Sequence, residues 1–211
     1  MIGIVTGLTA EARLARPLGV ARAGGGTPQG AARAAERLIA EGATALISFG
    51  LAGGLNPALP AGTLIIPAAI GMADGICTTD TALTRALGGP VRALYAATSM
   101  AVTAAEKAAL HEAIGADAID LESGAVAEVA SAHGIPFAAL RAICDPADRT
   151  LPPAALIALD AAGTITLVRV AASVLRQPSQ IPGLIRLARD AAAARRALLR
   201  QVRAIGQIKS E

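Results

Sequence analysis

The chain has 211 residues, of which 54% are hydrophobic, only 1% are aromatic and 17% are charged, and its formal net charge is +3. This length suits a single domain with a sizeable core, and the scarcity of aromatic residues means that Ala, Leu, Ile and Val must build that core. Arg169 interrupts the best apolar stretch, Ala161 to Leu175, so no segment reaches the roughly 18 to 20 uninterrupted apolar residues of a membrane span.

The first residues, Met1 to Thr6, form an apolar segment that predicts a buried strand. No basic segment precedes this strand and the acidic residue Glu11 follows it, so we expect no signal peptide and a cytoplasmic location. On sequence physics alone, Glu11 suits the first turn of a helix, where an acidic side chain interacts favourably with the helix dipole. The residues alone therefore assign it no chemical role.

Three glycines, Gly24 to Gly26, precede a predicted helix with Thr27 as its N-cap and Pro28 at its first position. The unpaired amides of such a loop, together with the positive end of the helix dipole, can bind an anion such as phosphate. Gly25 and Gly26 are weak candidates for that role, since a glycine cluster can equally be a tight turn.

The middle of the chain is predicted to contain several strands and one longer helix. A buried strand, Ala43 to Phe49, leads into a glycine-rich turn at Gly50 to Gly54, where the backbone can approach a ligand closely. Further strands are predicted at Thr63 to Ala69 and Val91 to Thr98, followed by a helix at Thr103 to Ile114.

Two carboxylates lie at the ends of two apolar segments near the middle of the chain. Ala118 to Leu121 predicts a strand, Gly124 to His133 a helix and Ile135 to Ile143 a buried strand. In a right-handed crossover, residues that leave the carboxyl ends of parallel strands meet at one edge of the sheet, where open α/β folds bind their ligands. Glu122 and Asp145 both lie at such positions.

Each of these carboxylates also has a purely structural interpretation. Asp145 precedes Pro146, which makes it a good N-cap, and Glu122 at a helix start suits the dipole. Arg141 lies four residues before Asp145 on the same face of the strand, where it could orient the acid or tie the strand to the sheet. The residues alone leave these alternatives open.

The two cysteines, Cys77 and Cys144, lie far apart, with no CxxC motif and no Cys/His cluster. Neither a disulfide framework nor a metal site is indicated. Cys144 has no neighbouring histidine to activate it, so we expect it to line a pocket rather than act as a nucleophile. His111 and His133 suit a helix surface and a helix end, respectively, and we assign neither a role.

After Thr150 the chain is predicted to be helical, with helices that begin at Pro152-Pro153, at Thr164 and at Ile181. We expect a main domain over residues 1–176 and a basic amphipathic extension over residues 177–211. Residues 176–211 carry eight Lys or Arg against two Asp or Glu, whereas residues 1–175 carry eleven against fourteen. Because this basic charge has no interleaved aromatics, binding to nucleic acid is not expected.

The last predicted helix has apolar residues at mostly helical spacing with basic residues around them. This pattern suits a helix that lies on the inner face of a membrane, and equally one that packs on the domain or on a partner subunit. The apolar residues are Ile181, Leu184, Ile185, Ala188, Leu198, Leu199, Val202 and Ile205, and the basic ones are Arg186, Arg189, Arg195, Arg196, Arg200 and Arg203.

Four ordered stretches resemble the nucleoside phosphorylase and nucleosidase superfamily, which includes the methylthioadenosine/S-adenosylhomocysteine nucleosidases. They are Ile2 to Gly7 with Glu11, Ser48 to Leu55, Asp120 to Ala125 and Leu140 to Asp145. The resemblance implies a three-layer αβα fold with a twisted, mostly parallel but mixed sheet, trimmed between Arg13 and Ala23. Within the superfamily the sequence is most similar to the hopanoid-associated phosphorylases, through Cys144-Asp145-Pro146 and the basic tail.

The resemblance also implies roles for the acidic residues. Asp145 would protonate or hydrogen-bond the purine, Glu122 would hold the ribose hydroxyls, and Glu11 would orient the nucleophile or the sugar. The family stacks the base with residues that correspond to the region of Met100 and Val102, although both could simply pack in the core. Leu121 and Gly53 complete the expected substrate contacts.

The expected reaction is cleavage of an N-glycosidic bond to adenine, with phosphate or water as the nucleophile and without a cofactor. The branch resemblance implies adenosylhopane as the substrate in hopanoid biosynthesis, and the family implies a homo-oligomer. One alternative is a soluble methylthioadenosine/S-adenosylhomocysteine-type nucleosidase. Another is a non-catalytic module that binds nucleosides, against which the retention of Glu11, Glu122 and Asp145 argues.

Overall fold

A computed structural model describes residues 1–157 and 166–208. The strands are β1 (Ile2–Thr6), β2 (Val20–Ala23), β3 (Ala45–Gly54), β4 (Leu64–Ile65), β5 (Ala69–Met72), β6 (Gly75–Thr78), β7 (Leu94–Ala96), β8 (Ala118–Asp120) and β9 (Phe137–Asp145). The helices are α1 (Thr9–Ala15), α2 (Pro28–Ala40), α3 (Thr81–Ala86), α4 (Ala104–Ile114), α5 (Ser123–Ala132), α6 (Pro153–Leu156), α7 (Leu167–Arg176) and α8 (Ile181–Ile208).

Within these residues, nine strands form one mixed sheet. The main path runs β2-β1-β3-β8-β7-β5-β6, and β9 pairs with β3 and β4 outside this path. The pairs β1 with β2, β1 with β3, β3 with β9, β5 with β7 and β7 with β8 are parallel, whereas β8 runs antiparallel to β3. The α/β fold with a mostly parallel but mixed sheet is therefore confirmed.

Alternating side chains of the central strands build two cores, one on each face of the sheet, because successive residues of a strand point to opposite faces. Val5 and Leu46 belong to one core, together with residues of α2 and α5. Ile4 and Ile47 belong to the other, together with residues of α1 and α8. The sheet is thus the middle of three layers.

Local sequence explains where several helices begin. The Thr27 hydroxyl accepts a hydrogen bond from the Gly30 amide at the start of α2, as predicted. Thr103 caps α4 in the same way, and Glu106 completes the capping box by accepting from the Thr103 amide. These caps satisfy amides that have no partner within the helix.

The region between Arg13 and Ala23, which the sequence predicts to be trimmed, contains one short edge strand, β2, which pairs parallel with β1. The structure corrects two details of the sequence interpretation. The glycines predicted as a turn at Gly50 to Gly54 continue β3 instead. The strands β8 and β9 flank β3, and because β8 runs antiparallel to β3 while β9 runs parallel to it, the predicted parallel crossover is wrong.

The predicted carboxyl-terminal helix exists as α8, and its two halves differ. Leu198, Val202 and Ile205 are buried in the core beside the sheet, whereas Ile181 and Ile185 are 42% and 48% exposed. The second half thus packs on the domain. The predicted start of the preceding helix at Thr164 lies outside the described residues. In the part of the chain that the structure describes, no helix is long and apolar enough to cross a membrane.

Candidate active site

A cavity of about 550 Å³ lies where β1, β3, β8 and β9 end. Gly53 of β3 brings two of these strands together, since it pairs with Ile119 of β8 and with Asp145 of β9. The three predicted catalytic residues, Glu11, Glu122 and Asp145, all line this cavity. Glu122, which follows β8, and Asp145, at the end of β9, therefore lie at the same cavity as predicted, although β8 runs antiparallel to its neighbour β3.

One side of the cavity is formed by buried charged side chains from the ends of the strands and from α1. We call this group the carboxylate floor. It consists of Glu11, Asp120, Glu122, Arg141 and Asp145.

Arg141 is the only cation of the carboxylate floor, and it holds two of the acids in place. Its Nε lies 2.7 Å from Asp120 Oδ2 and its Nη2 lies 3.2 Å from Glu122 Oε2. The Ser48 hydroxyl accepts a further bond from Nη2 at 2.6 Å. Because the guanidinium is 1% exposed and fully engaged, it fixes the Glu122 carboxylate rigidly. Of the two alternatives that the sequence left open, these contacts favour the second, since the bond to Ser48 ties β9 to β3 and the acids that Arg141 contacts are Asp120 and Glu122 rather than Asp145.

Burial raises the pKa of Glu122 to about 7, and the positive charge of Arg141 only partly opposes this effect. The neighbouring acids Asp120 and Glu11 raise the pKa further. Glu122 is therefore poised to change its charge near neutral pH, as groups in active sites often are.

Glu11 is 2% exposed and accepts hydrogen bonds from two backbone amides, Leu8 N at 2.8 Å and Leu51 N at 3.0 Å. Burial raises the pKa of Glu11, whereas these two hydrogen bonds and the positive charge of Arg141 lower it.

Two glycines leave room for the side chains of Glu11 and Glu122. A Cβ at Gly50 would lie 2.8 Å from Glu11 Oε2, and one at Gly7 would lie 2.6 Å from Glu122 Oε1. The glycine-rich segments therefore serve the packing of the carboxylates.

Asp145 is 5% exposed at the end of β9. Its Oδ2 accepts a hydrogen bond from Lys107 Nζ at 2.5 Å, whereas its Oδ1 is buried and has no hydrogen-bond partner within residues 1–157 and 166–208. Burial raises the pKa of Asp145, and Lys107 opposes this effect. The two oxygens of Asp145 therefore have different surroundings.

Cys144 also lines the cavity. Burial, assisted by the negative charges of Asp145 and Glu11, raises its pKa to about 12. A thiol that stays protonated is a poor nucleophile, which agrees with the expectation that Cys144 only lines the pocket.

The structure separates the remaining predicted contacts into two groups. Leu121, Gly53, Met100 and Gly26 line the cavity, whereas Val102 and Gly25 do not. Met100 is 46% exposed, which excludes the alternative that it packs in the core. The Gly25 amide donates to Gly7 O at 3.0 Å, so it is not free to bind an anion.

The opposite side of the cavity is built by α6, α7 and α8, and we call it the apolar wall. Gln180 connects these helices, since it accepts from the Ala154 amide at 2.8 Å and donates to Ser173 O at 2.9 Å. The apolar wall consists of Ala154, Ala155, Val170, Leu184, Leu187, Ala188 and Ala191.

Sequence reasoning missed three contributors to the site. Arg195 of α8 lines the cavity, lowers the pKa of Glu11 and has a buried Nε that finds no hydrogen-bond partner among the residues that the structure describes. Asp120 was read only as part of a motif, and Lys107 was not considered. Lys107 had one available signal, because it is one of only two lysines among nineteen basic residues and lies on a helix rich in alanine.

Neither histidine lines the cavity, as His111 bonds to Ala116 O and His133 pairs with Glu36. Among residues 1–157 and 166–208, no group of three or more His, Cys, Asp or Glu is arranged to hold a metal ion. What the site can do chemically therefore depends on its carboxyl groups, its cations and its apolar surface.

A family model described as the phosphorylase superfamily matches residues 5–93 and 89–177. A search of curated proteins found no match. Among solved structures, the futalosine hydrolase of Helicobacter pylori aligns with a TM-score of 0.67 at 15% identity, over 95% of this chain and 96% of that one.

Two further structures share the fold. The 5'-methylthioadenosine/S-adenosylhomocysteine nucleosidase of Campylobacter jejuni aligns with a TM-score of 0.66 at 18% identity, over 95% of this chain and 97% of that one. The S-adenosylhomocysteine nucleosidase of Streptococcus pyogenes, solved with 5-methylthiotubericidin, aligns with a TM-score of 0.63 at 16% identity, over 70% of this chain and 84% of that one.

Proposed function

Because the chain belongs to the phosphorylase superfamily, we propose that it cleaves the N-glycosidic bond of an adenine nucleoside and releases adenine. The observation that carries this proposal is the convergence of Glu11, Glu122 and Asp145 on one cavity, with an oxygen of Asp145 that has no partner in the described part of the chain. Such a reaction passes through a transition state with oxocarbenium character, in which the sugar becomes positive and the base becomes negative. The carboxylate floor suits both changes.

Asp145 serves the departing base. Its raised pKa favours the protonated acid, and the free Oδ1 can donate to or hydrogen-bond a ring nitrogen of the purine. Proton transfer to that nitrogen neutralises the negative charge that builds up as the bond to C1' breaks. The carboxylate that remains on Asp145 is stabilised by the ammonium group of Lys107.

Glu122 serves the sugar. Arg141 fixes one of its oxygens, which leaves the other, Oε1, to accept hydrogen bonds from the ribose hydroxyls. An ionised carboxylate in this position interacts more strongly with the cationic transition state than with the neutral ground state. Glu122 is therefore expected to act mainly on the rate of the chemical step.

Glu11 orients the nucleophile, which is water or phosphate. Two amides hold its carboxylate at the cavity, and Arg195 supplies a positive charge that suits an anionic nucleophile. Of the three glycines Gly24 to Gly26, Gly26 lines the cavity, so it is the one that phosphate would contact. The two nucleophiles give different sugar products, and the experiment below distinguishes them.

The apolar wall supports a substrate with an apolar group on the ribose, and adenosylhopane is the substrate we propose. With Asp145 assigned to the base and Glu122 to the ribose, the wall remains for the substituent at C5'. A cavity of about 550 Å³ lies within the usual size of small-molecule sites. A larger hydrocarbon group would extend past the wall toward exposed apolar residues of α7 and α8, namely Val168, Leu175, Ile181 and Ile185.

Methylthioadenosine is a second candidate substrate, because similar folds include nucleosidases that are named for it. Its small apolar methylthio group would occupy only part of the same wall. A non-catalytic nucleoside-binding module remains the alternative from another functional class, and it predicts binding without adenine release.

The exposed apolar residues of α7 and α8 also support a peripheral contact with a membrane surface, where a hopanoid would reside. Arg169, Arg176 and Arg186 lie on the same helices, and basic residues near an anionic leaflet each contribute about 1 kcal/mol. Contact between copies of the chain in a homo-oligomer would cover the same residues. Co-sedimentation with anionic vesicles at low and high salt, together with the molar mass in solution, distinguishes these two uses.

Mass spectrometry of the products formed from adenosylhopane, with and without phosphate, tests the proposed function. We expect adenine in both the phosphorolytic and the hydrolytic case, accompanied by phosphoribosylhopane or ribosylhopane, respectively. If neither adenosylhopane nor methylthioadenosine yields adenine while a nucleoside still binds, the protein is a binding module and the proposal is wrong.

A further inference from the structure

Lys107 is a fully buried ammonium group whose side chain pairs with Asp145. It lies on α4, is 0% exposed and sits beneath the loop that follows β9. Burial of an ammonium group costs several kcal/mol unless acceptors replace the lost water. The cost of burying the charge of Lys107 must therefore be offset by specific contacts.

Four acceptors surround Lys107 Nζ, and all come from the segment that carries Asp145. They are Asp145 Oδ2 at 2.5 Å, Asp145 O at 3.3 Å, Pro146 O at 3.1 Å and Arg149 O at 2.9 Å. A protonated amine supplies three donors from one nitrogen to such a set. A longer, planar guanidinium would not fit the same group of acceptors, although arginine is far commoner in this chain.

The start of α4 is itself anchored to the segment beyond β9. The Leu151 amide donates to Val102 O at 2.9 Å, and the Ala104 amide donates to Thr150 Oγ1 at 3.3 Å. These bonds hold the amino-terminal end of α4, about one turn before Lys107, against the segment that follows Asp145. The ammonium thus approaches the carboxyl group from a rigid element.

We propose, on the basis of the proposed function, that Lys107 is a positioning residue that binds Oδ2 of Asp145 and thereby directs Oδ1 toward the purine. The ammonium engages Oδ2 and the surrounding carbonyls, whereas the buried Oδ1 has no partner among the described residues. When Asp145 gives its proton to the base, the resulting carboxylate already faces a cation. Lys107 therefore acts on the leaving base only through Asp145.

Other charged groups also face Asp145 and must be considered in a test. Asp190 of α8 raises the pKa of Asp145, and Arg149 lowers it. Cys144, which is adjacent, stays a neutral thiol because its pKa is raised to about 12. Lys107 opposes the raised pKa more than Arg149 does, so its removal has the larger expected effect.

The test is the titration of the Asp145 carboxyl group, followed by NMR in the full chain for the parent protein and for Lys107→Met. Asp145→Asn identifies the resonance. We expect the neutral methionine to raise the Asp145 pKa by about 1 to 3 units, since an opposite charge at this distance lowers an aspartate pKa by that amount. Arg149→Gln is the matched control and should raise it less. An unchanged titration in Lys107→Met would overturn the proposal.

Kinetics of adenine release provide the second readout. For Lys107→Met we expect kcat to fall on the order of 10- to 100-fold with little change in KM, because the acid is misplaced by a small distance. The pH at which activity is lost on the alkaline side should move upward with the Asp145 titration. Loss of activity without that movement would indicate a purely structural role and would also overturn the proposal.

Two further results keep the test decisive. Should Lys107→Met fail to fold, Lys107→Gln retains a donor for the carbonyl oxygens without the charge, and the same rise in the Asp145 pKa is expected. If the parent protein releases no adenine but the Asp145 pKa is raised in Lys107→Met, the proposed function fails while the pairing of Lys107 with Asp145 stands. The two failures are thus distinguishable.

Discussion

The carboxylate floor and the apolar wall line the same cavity but are held by different forces. The floor is fixed by ion pairs, amide donors and the register of β3, β8 and β9, and its members are almost fully buried. The wall is formed by three helices whose cavity-facing residues include partly exposed ones such as Leu184 and Leu187. The difference suggests that the floor determines the reaction and that the wall determines which nucleoside enters.

The largest expected effect comes from removing the acid of the floor. Asp145→Asn should reduce kcat for adenine release by about 10²- to 10⁴-fold, which is the usual contribution of a positioned general acid. The substitution preserves shape, so circular dichroism and nucleoside binding should stay near those of the parent protein. Retention of most activity would remove Asp145 from the mechanism.

The second prediction concerns stability. The floor should make the free energy of unfolding depend on pH near neutrality, whereas the wall should not. The folded-state pKa of Glu122, about 7, exceeds its ordinary value of 4.5, so its contribution is fully present below pH 4.5 and is lost as the pH rises through 7. The free energy of unfolding should fall by up to about 3 kcal/mol over this interval.

Urea denaturation across that pH range checks this expectation. Glu122→Gln should show a flatter dependence than the parent protein, whatever its stability at a single pH. Leu184→Ala, a change in the wall, should keep the slope of the parent protein. Equal slopes in Glu122→Gln and the parent protein would show that Glu122 does not ionise near neutral pH in the folded state.

The same residue gives a third effect, on the rate. Glu122→Gln should lower kcat by about 10- to 150-fold, since hydrogen bonds to charged groups contribute about 1.5 to 3 kcal/mol. KM should change little, because the carboxylate acts mainly on the cationic transition state. Steady-state kinetics with methylthioadenosine would measure both constants. A rise in KM alone would assign Glu122 to ground-state binding.

The smallest effect is expected at the wall and should depend on the substrate. Leu184→Ala should lower kcat/KM by about 10-fold for adenosines with a long apolar C5' group, because the loss of one or two methylene contacts costs about 1 to 3 kcal/mol. Adenosine itself should be hardly affected. Ile185→Ala is the matched control, since Ile185 is 48% exposed and does not line the cavity. An equal loss of kcat/KM for all substrates would contradict a role of the wall in substrate selection.

The sequence named three members of the floor because they lie in recognisable motifs at or near strand ends. Glu11, Glu122 and Asp145 were each predicted with a role, and all three line the cavity. The superfamily and the fold class are confirmed. The hopanoid branch, the substrate and the roles of these residues stay predictions.

The omission of β2 and the two errors have physical causes that a single sequence does not reveal. β2 is a four-residue edge strand whose existence depends on its pairing with β1. Gly50 to Gly54 resembles a turn locally, but pairing with β9 extends β3 through these glycines. The antiparallel placement of β8 beside β3 is likewise a tertiary property.

The apolar wall was missed for a related reason. An amphipathic pattern predicts that α8 buries one face, but it does not say which neighbour that face contacts. In the structure Leu198 and Val202 contact the core, Leu184 lines the cavity and Ile185 is exposed. The proposed boundary between residues 1–176 and 177–211 stays a prediction, and removal of α8 would expose core residues as well as delete part of the wall.

The most direct test of the account is the value of kcat/KM for adenine release across adenosines that carry C5' groups of increasing apolar length. The account predicts adenine from every member and a kcat/KM that rises as the substituent covers more of the apolar wall, up to adenosylhopane. A value that stays constant or falls with increasing length would contradict the role of the wall. No adenine from any member of the series would contradict the role of the carboxylate floor.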